Sequence, residues 1–305
     1  MIAGYYVNNV YLVNSDTVLI RLHHSERPDI RIVLSTIKGI WITKYELPKK
    51  SSGIATKLRK EIHRAKIKNI KNPSGERIAI IEFGETPNIR RVILEFFGGG
   101  NIIVTDEDGI IRTHLRSLRV KHRTIRIGQK YLFPPQRGLD VKSIEIGDIL
   151  KIKESDLEVS RWFGRNLALS KKYVEEVMDR SEIDSKIKGS ELHDDDISVI
   201  FKNLKKVVDM VLIGDVEPTV VYNNDEPIDA APFKLKSYQD SVSKVFKTFL
   251  DALDEVHAYE IRGEMNKESL EPLNRKIDEI TKSIEKQARI EKEYRQNSVS
   301  LREYA

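Results

Sequence analysis

From Tyr5 to Tyr45 the chain runs through YYVNNVYLV, TVLIRLHH, IRIVLST and IWITKY, short stretches rich in β-branched and aromatic residues and separated by Asn, Asp, Ser, Pro and Gly. That spacing predicts an antiparallel meander. After Pro48 the period changes. Ile54, Leu58, Ile62 and Ala65 recur at helical spacing while Lys57, Arg59, Lys60, Arg64, Lys66 and Lys68 fill the other faces, which predicts one basic amphipathic helix from Ile54 to Ile70. Strands return in ERIAIIEF, RRVILEFF, NIIVTDEDG and IIRTHL, with the acidic turn before Ile110 as a hairpin signal. Gly98, Gly99 and Gly100 lead into Ile102, Ile103 and Val104 rather than into a helix, so they predict a bulge or tight turn and no nucleotide site. A two-sheet sandwich or open barrel with one inserted helix accounts for this part of the chain.

The segment FPPQRGLD, Phe133 to Asp140, breaks both periods and marks a boundary. Beyond it Ser155 is expected to cap a helix carrying Leu157, Trp162 and Phe163, and Ser170 a second one carrying Tyr173, Val174, Val177 and Met178, a helix-turn-helix type of module. Asp196 should open a longer helix with Phe201, Leu204, Val208 and Val211. The loop after Gly214 contains the hairpin-like TVVYNNDEPI, and residues 237–262 predict another helix. Leu270, Leu273, Ile277, Ile280 and Ile284 then recur at spacings of three and four, the seam of a coiled coil that frays into Gln287 and Glu291. The seam predicts a chain that stops inside a longer coiled coil. The expected class is α+β, with a β-rich domain over 1–139, a helical domain over 140–235, and a helical segment leading into a coiled coil over 236–305.

Composition narrows the chemistry. With 305 residues, 40% apolar and 32% charged, the chain can bury a core and form more than one domain. No apolar run approaches a membrane span, and residues 1–20 lack a charged segment followed by an apolar block, so a soluble, unexported, cytoplasmic protein with no membrane partner is expected. The absence of cysteine excludes disulfides, thiol nucleophiles, iron–sulfur clusters and cysteine-containing zinc sites. The seven histidines show no metal-ligand spacing, and no cofactor is implied. Glu175 and Glu176 are neighbours on a helix, cannot converge on one substrate, and are expected at the surface.

Charge is distributed unevenly. Residues 1–139 carry 25 Lys and Arg against 12 Asp and Glu, and the remaining residues carry 27 against 35. From Ile110 to Leu139 there is no acidic residue, only Arg112, Arg116, Arg119, Lys121, Arg123, Arg126, Lys130 and Arg137 with His114 and His122. Such a stretch suits phosphate binding, where affinity scales with the number of phosphates contacted. Nucleic acid is the expected partner, ahead of an anionic membrane, because the basic segments lack a bulky apolar opposite face.

The strings YYVNNVYL, PSGERIAIIEF, VILEFFGGGNIIVTDEDG, VKHRTIRIGQKYLFPPQRGLD and RWFGRNLALSKKYVEEVMDRSEID together resemble the NFACT family, also called the RqcH, NEMF or fibronectin-binding A family, in an archaeal form and over its N-terminal and middle portion. The resemblance implies an N-terminal domain similar in fold to that of formamidopyrimidine DNA glycosylases, a helix-two-turn-helix domain and a coiled coil. It also implies a leading helix ahead of Gly4 and a C-terminal NFACT-R region, neither of which this sequence contains. The implied function is ribosome-associated quality control. The implied partners are tRNA and the large ribosomal subunit with stalled peptidyl-tRNA, in support of template-free C-terminal tailing. The family's Asp-Arg pair linked to tRNA engagement falls on Glu76 and Arg77, where Glu keeps the charge on a longer arm. With the acid-free stretch, the expected tRNA-binding set is Glu76, Arg77, Arg112, Arg116, Arg119, Lys121, His122, Arg123 and Arg126, with Arg77 held in place by Glu76. The alternative, base excision from DNA, uses an N-terminal proline amine as nucleophile, and this sequence starts Met1, Ile2, Ala3. A conventional enzyme is therefore not expected. Matrix adhesion rests on the family's older name alone.

Overall fold

The computed structural model describes residues 2–73, 76–134, 138–167 and 169–303, and the chain divides into two compact units, 1–257 and 258–305. In the first unit, β1 (Tyr6–Asn14), β2 (Thr17–His23), β3 (Ile30–Ser35) and β4 (Gly39–Ile42) form an antiparallel meander in chain order. Helix α1 (Gly53–Ile62) follows, capped by the Ser52 side chain, which accepts from the Ala55 N–H. The helix is shorter than its periodicity predicts. Its core-facing stripe of Ala55, Leu58 and Ile62 ends there, Arg64 adopts the left-handed region at φ 60°, and Ile67–Lys71 becomes β5.

The second sheet joins β5 to β6 (Ile78–Phe83), β7 (Arg90–Glu95), β8 (Asn101–Thr105) and β9 (Ile111–His114) in chain order. Its strands divide their side chains by parity between two cores. Ile81, Phe83, Val92, Leu94, Ile102 and Val104 face the first sheet and α1, closing a sandwich. Ile78, Ile80, Ile93 and Ile103 face the other way. There Ile125 and Tyr131 cover them, on and beside the hairpin β10 (Leu118–Val120) and β11 (Arg123–Ile125). The glycine run is the expected tight turn. Gly98 and Gly100 have φ of 60° and 65°, and a Cβ on Gly100 would lie 2.4 Å from the Thr36 Cβ, so the β7–β8 turn seats against the first sheet only without a side chain. Asp106 closes the β8–β9 turn by accepting from the N–H groups of Asp108 and Ile110.

The middle of the chain is helical, in α2 (Ile146–Leu150), α3 (Val159–Asn166), α4 (Lys171–Ser181) and α5 (Asp194–Ile213). Ser155 does not cap α3. Glu158 occupies that position, while the Ser155 hydroxyl accepts from Leu157 N–H in the preceding turn. Asp196 sits inside α5 and reaches back to accept from the His193 N–H. Glu176 is not a surface charge. It is buried on α4, takes the guanidinium of Arg180 and accepts the Lys236 N–H at 2.6 Å.

The expected hairpin forms as β12 (Thr219–Asn223) and β13 (Glu226–Ala231), but β12 takes a second partner, β14 (Ser243–Val245), inside the stretch predicted as helix. The final helix α6 therefore starts at Phe249 and continues to Glu303, with Pro272 inside it. Taken by itself, the second unit is the greater part of α6, and its Leu270, Leu273, Ile277, Ile280 and Ile284 are exposed along one heptad stripe. The fold class is α+β.

Candidate nucleic-acid interface

The acid-free stretch does not act as a uniform cationic surface, because the fold spends some of its charges internally. Arg123 opens β11 and turns its guanidinium inward onto Glu95 of β7, donating through both terminal nitrogens, with Nη2 at 2.9 Å. Tyr131 donates to the same carboxylate at 2.8 Å, and the ring of Phe97 lies 5.3 Å from the guanidinium. Burial, with Glu95 alongside, pushes the Tyr131 hydroxyl pKa well up. Arg116 donates to the carbonyls of Gly99 (2.7 Å), Gly100 (3.0 Å) and Ser15 (3.2 Å) and to the Asp16 carboxylate, pinning the β7–β8 turn to the β1–β2 turn. Arg112 is half exposed between Glu61 and Asp106, at 4.0 and 3.9 Å. Arg116 and Arg123 are thus already engaged in internal bonds, unlike the free cations the sequence suggests.

Arg119, Lys121, His122 and Arg126 remain. All are exposed, and among the described residues their side chains have no hydrogen-bond or ion-pair partner. Lys121 and His122 form the two-residue turn of the β10–β11 hairpin, between Val120 and Arg123. Arg137 lies outside the described residues.

Glu76 and Arg77 lie just ahead of β6, on the same side of the sheet as the hairpin. The Arg77 N–H and C=O sit at the sheet margin, its carbonyl accepting from Phe96 N–H at 2.9 Å, and its side chain is exposed. No ion pair joins it to Glu76, contrary to expectation. The Glu76 carboxyl is half buried, and burial pushes its pKa up while the charge of Arg123 works in the opposite direction.

Glu76, Arg77, Lys121 and His122 line one cleft of about 600 Å³, whereas Arg119 and Arg126 are not among its lining residues. One wall carries Glu76, Arg77, Lys121 and His122, with Phe97, Leu118 and Val120 as apolar surface. The opposite wall comes from the helical module, with Gly164 and Arg165 on α3 followed by Leu167 and Leu169. That wall is fixed by its own core. Trp162 and Phe163 are buried, the Asn166 side chain donates to the Trp162 carbonyl, and the Leu139 N–H donates to the Asn166 carbonyl at 2.7 Å. Arg165 projects exposed from the same helix, without a partner among the described residues. Sequence reasoning missed it, because its half of the chain is net acidic, although Arg161, Arg165, Lys171 and Lys172 form a short acid-free run there. Its position on the polar side of a helix whose Trp162 and Phe163 face the core was the available signal. Among the described residues there is no group of three metal-ligating side chains, and no described helix is long and apolar enough to cross a membrane.

A family model described as NFACT N-terminal and middle domains matches residues 2–303. The chain belongs to the NFACT family. Among its relatives is the archaeal Rqc2 homolog aRqcH of Methanocaldococcus jannaschii, 26% identical over 305 residues, which cover 96% of this chain and 45% of the relative. The human ribosome quality control complex subunit NEMF is 36% identical over 117 residues, 37% of this chain and 11% of NEMF. The NFACT chain described here thus spans less than half the length of these curated relatives. In structure it is similar to the fibrinogen binding protein from Staphylococcus aureus, with a TM-score of 0.66 and 20% identity, covering 84% of this chain and 93% of that one. That similarity supports the α+β architecture.

Proposed function

We propose that this NFACT chain is the RNA-engaging portion of a ribosome quality-control factor. In this reading it holds tRNA at the large ribosomal subunit beside a stalled peptidyl-tRNA, in support of template-free C-terminal tailing. Relatives from animals and yeast are named as ribosome quality control complex subunits, which favours the process. The convergence of Arg77, Lys121 and Arg165 on one cleft, with no partners among the described residues, favours the tRNA role. Cations already bonded to carboxylates gain little from a phosphate, whereas unpaired ones release counterions when it arrives. The apolar patches of Leu118, Leu167 and Leu169 between those cations suit an unstacked base better than a continuous duplex backbone. The chain acts by position: it binds and orients RNA and forms no covalent intermediate.

The test is tRNA binding by the parent chain and by R77A, K121A and R165A. Each variant should lose about three- to tenfold in affinity, roughly the share of one charge-assisted hydrogen bond. Cryo-EM of the complete protein on large subunits carrying peptidyl-tRNA should place RNA in the cleft. A cleft facing solvent or protein in that complex would overturn the reading.

A further inference from the structure

Glu76 is the only acidic residue lining the cleft among the described residues, and it shares that lining with the unpaired Arg77, Lys121 and Arg165. Its carboxyl accepts no hydrogen bond from them. Asn72 donates to its backbone carbonyl instead, at 3.1 Å. The charged and titratable groups that share the cleft with it are Arg77 beside it in the chain, Lys121 and His122 on the hairpin turn, Arg165 on α3, and Arg123. Arg123 is committed to Glu95, which is itself shared with Tyr131, so it reaches Glu76 through its field alone. A half-buried carboxylate with no donor of its own is poorly solvated, and burial already raises its pKa above the ordinary glutamate range. Any phosphate drawn in by Arg77, Lys121 and Arg165 then comes to rest near a second negative charge, and the pair relaxes if the carboxylate takes a proton.

We infer that RNA enters this cleft together with a proton, which Glu76 takes up as the phosphate is seated. The inference rests on the RNA-binding reading of the cleft. The sign follows from linkage. Binding raises the pKa of Glu76 further, so affinity is greatest below its value in the free protein, falls as pH rises towards its value in the complex, and levels off above that. Each unit between the two values is worth about tenfold in affinity. Glu76 would thus make RNA release easier at higher pH and would weaken binding of any RNA that cannot displace or satisfy its carboxylate.

Imidazoles titrate within the pH span of the experiment, so the comparison is made in chains carrying H122N. Labelled tRNA is titrated into H122N and E76Q/H122N between about pH 5 and about pH 8, with thermal melts at each pH to confirm folding. The H122N chain should lose about three- to tenfold in affinity across the range. E76Q/H122N should hold, at every pH, the affinity H122N shows at the acid end. If both follow the same profile, the proton is not on Glu76 and the inference falls. A second readout is calorimetry of H122N and E76Q/H122N with tRNA near pH 6 in buffers of different ionisation enthalpy. Proton uptake by H122N that E76Q/H122N lacks supports the inference, and equal uptake, or none, in both overturns it. The RNA reading fails separately, if R77A, K121A and R165A bind tRNA like the parent throughout.

Discussion

Replacing Arg123 with Ala strands the Glu95 carboxylate, 2% exposed, in the core beneath the cleft with only the Tyr131 hydroxyl to bond it. Breaking one side of a buried ion pair costs about 3–5 kcal/mol, and urea unfolding of R123A should show a loss of that size. R77A should fall within about 0.5 kcal/mol of the parent in the same experiment, because the side chain it removes is exposed and unpaired among the described residues. Its effect should appear in discrimination among tRNAs. Two arginines that look alike in a charged sequence thus separate into one bonded inside the core and one exposed and unpaired at the cleft among the described residues. Charge counting cannot separate them, because the partner of Arg123 lies 28 residues earlier on another strand. The acid-free stretch was legible as a concentration of cations, but which of its members are free depends on which carboxylates the sheet register brings beneath them. The same holds at Asp16. Burial works to raise its pKa, but hydrogen bonds from Ser15 and Arg116 and the charge of Arg116 outweigh it, leaving the carboxyl below the ordinary aspartate range. A lowered folded value gives stability that is present above the unfolded value of about 3.9 and is lost as pH falls through the folded one. D16N should therefore be less stable than the parent at neutral pH and should lose less on acidification, a difference that melts between about pH 6 and about pH 3 would reveal.

Strands and hairpins of the N-terminal half were readable because each is built from local alternation and closed by local turn residues. Where an element depends on a distant partner, the local pattern misleads. Ser243–Val245 is a strand because β12 offers it an edge, and α6 consequently starts at Phe249. The first turns of α6 are held to the first sheet by a carboxylate. Asp254, 2% exposed, accepts from the Trp41 indole N–H at 3.1 Å and from the Lys44 N–H at 2.8 Å, while the His257 ring lies 5.1 Å from that of Trp41. Trp41 is fully buried on β4. D254A would leave both donors without an acceptor in a site too closed for easy hydration, a cost of about 2–4 kcal/mol. The same helix turns carry exposed pairs such as Lys44–Asp251, with Lys44 75% exposed on its side chain. Losing such a pair should cost no more than about 1 kcal/mol, so D254A should unfold at clearly lower urea than K44A.

Over the whole chain, charge is the coarsest quantity in the sequence and the one that bears most directly on RNA binding. The net +13 of residues 1–139 against −8 for the rest points to the first part as the cationic partner of a polyanion. The fold changes that picture in two ways. It withdraws Arg116 and Arg123 into internal bonds, and it adds Arg165 from the acidic half as the opposite wall of the cleft. The salt dependence of tRNA binding should follow the folded distribution rather than the sequence count. Taking away one cation that touches a phosphate flattens the slope of log affinity against log salt by about 0.9 for a duplex and somewhat less for a single strand. Removing the three unpaired cations that line the cleft in R77A/K121A/R165A should therefore flatten the slope by about 2–3 units, with Arg165 contributing its share although it lies in the net acidic half. The matched control lies on α5, where Lys202 and Lys206 are equally exposed but line no part of the cleft. K202E/K206E changes net charge by more than the triple variant does, yet it should leave the slope close to that of the parent, because counterions are released only where phosphates touch. A slope that tracks net charge across all these variants would mean that RNA is held by the diffuse field of the protein and not by the cleft.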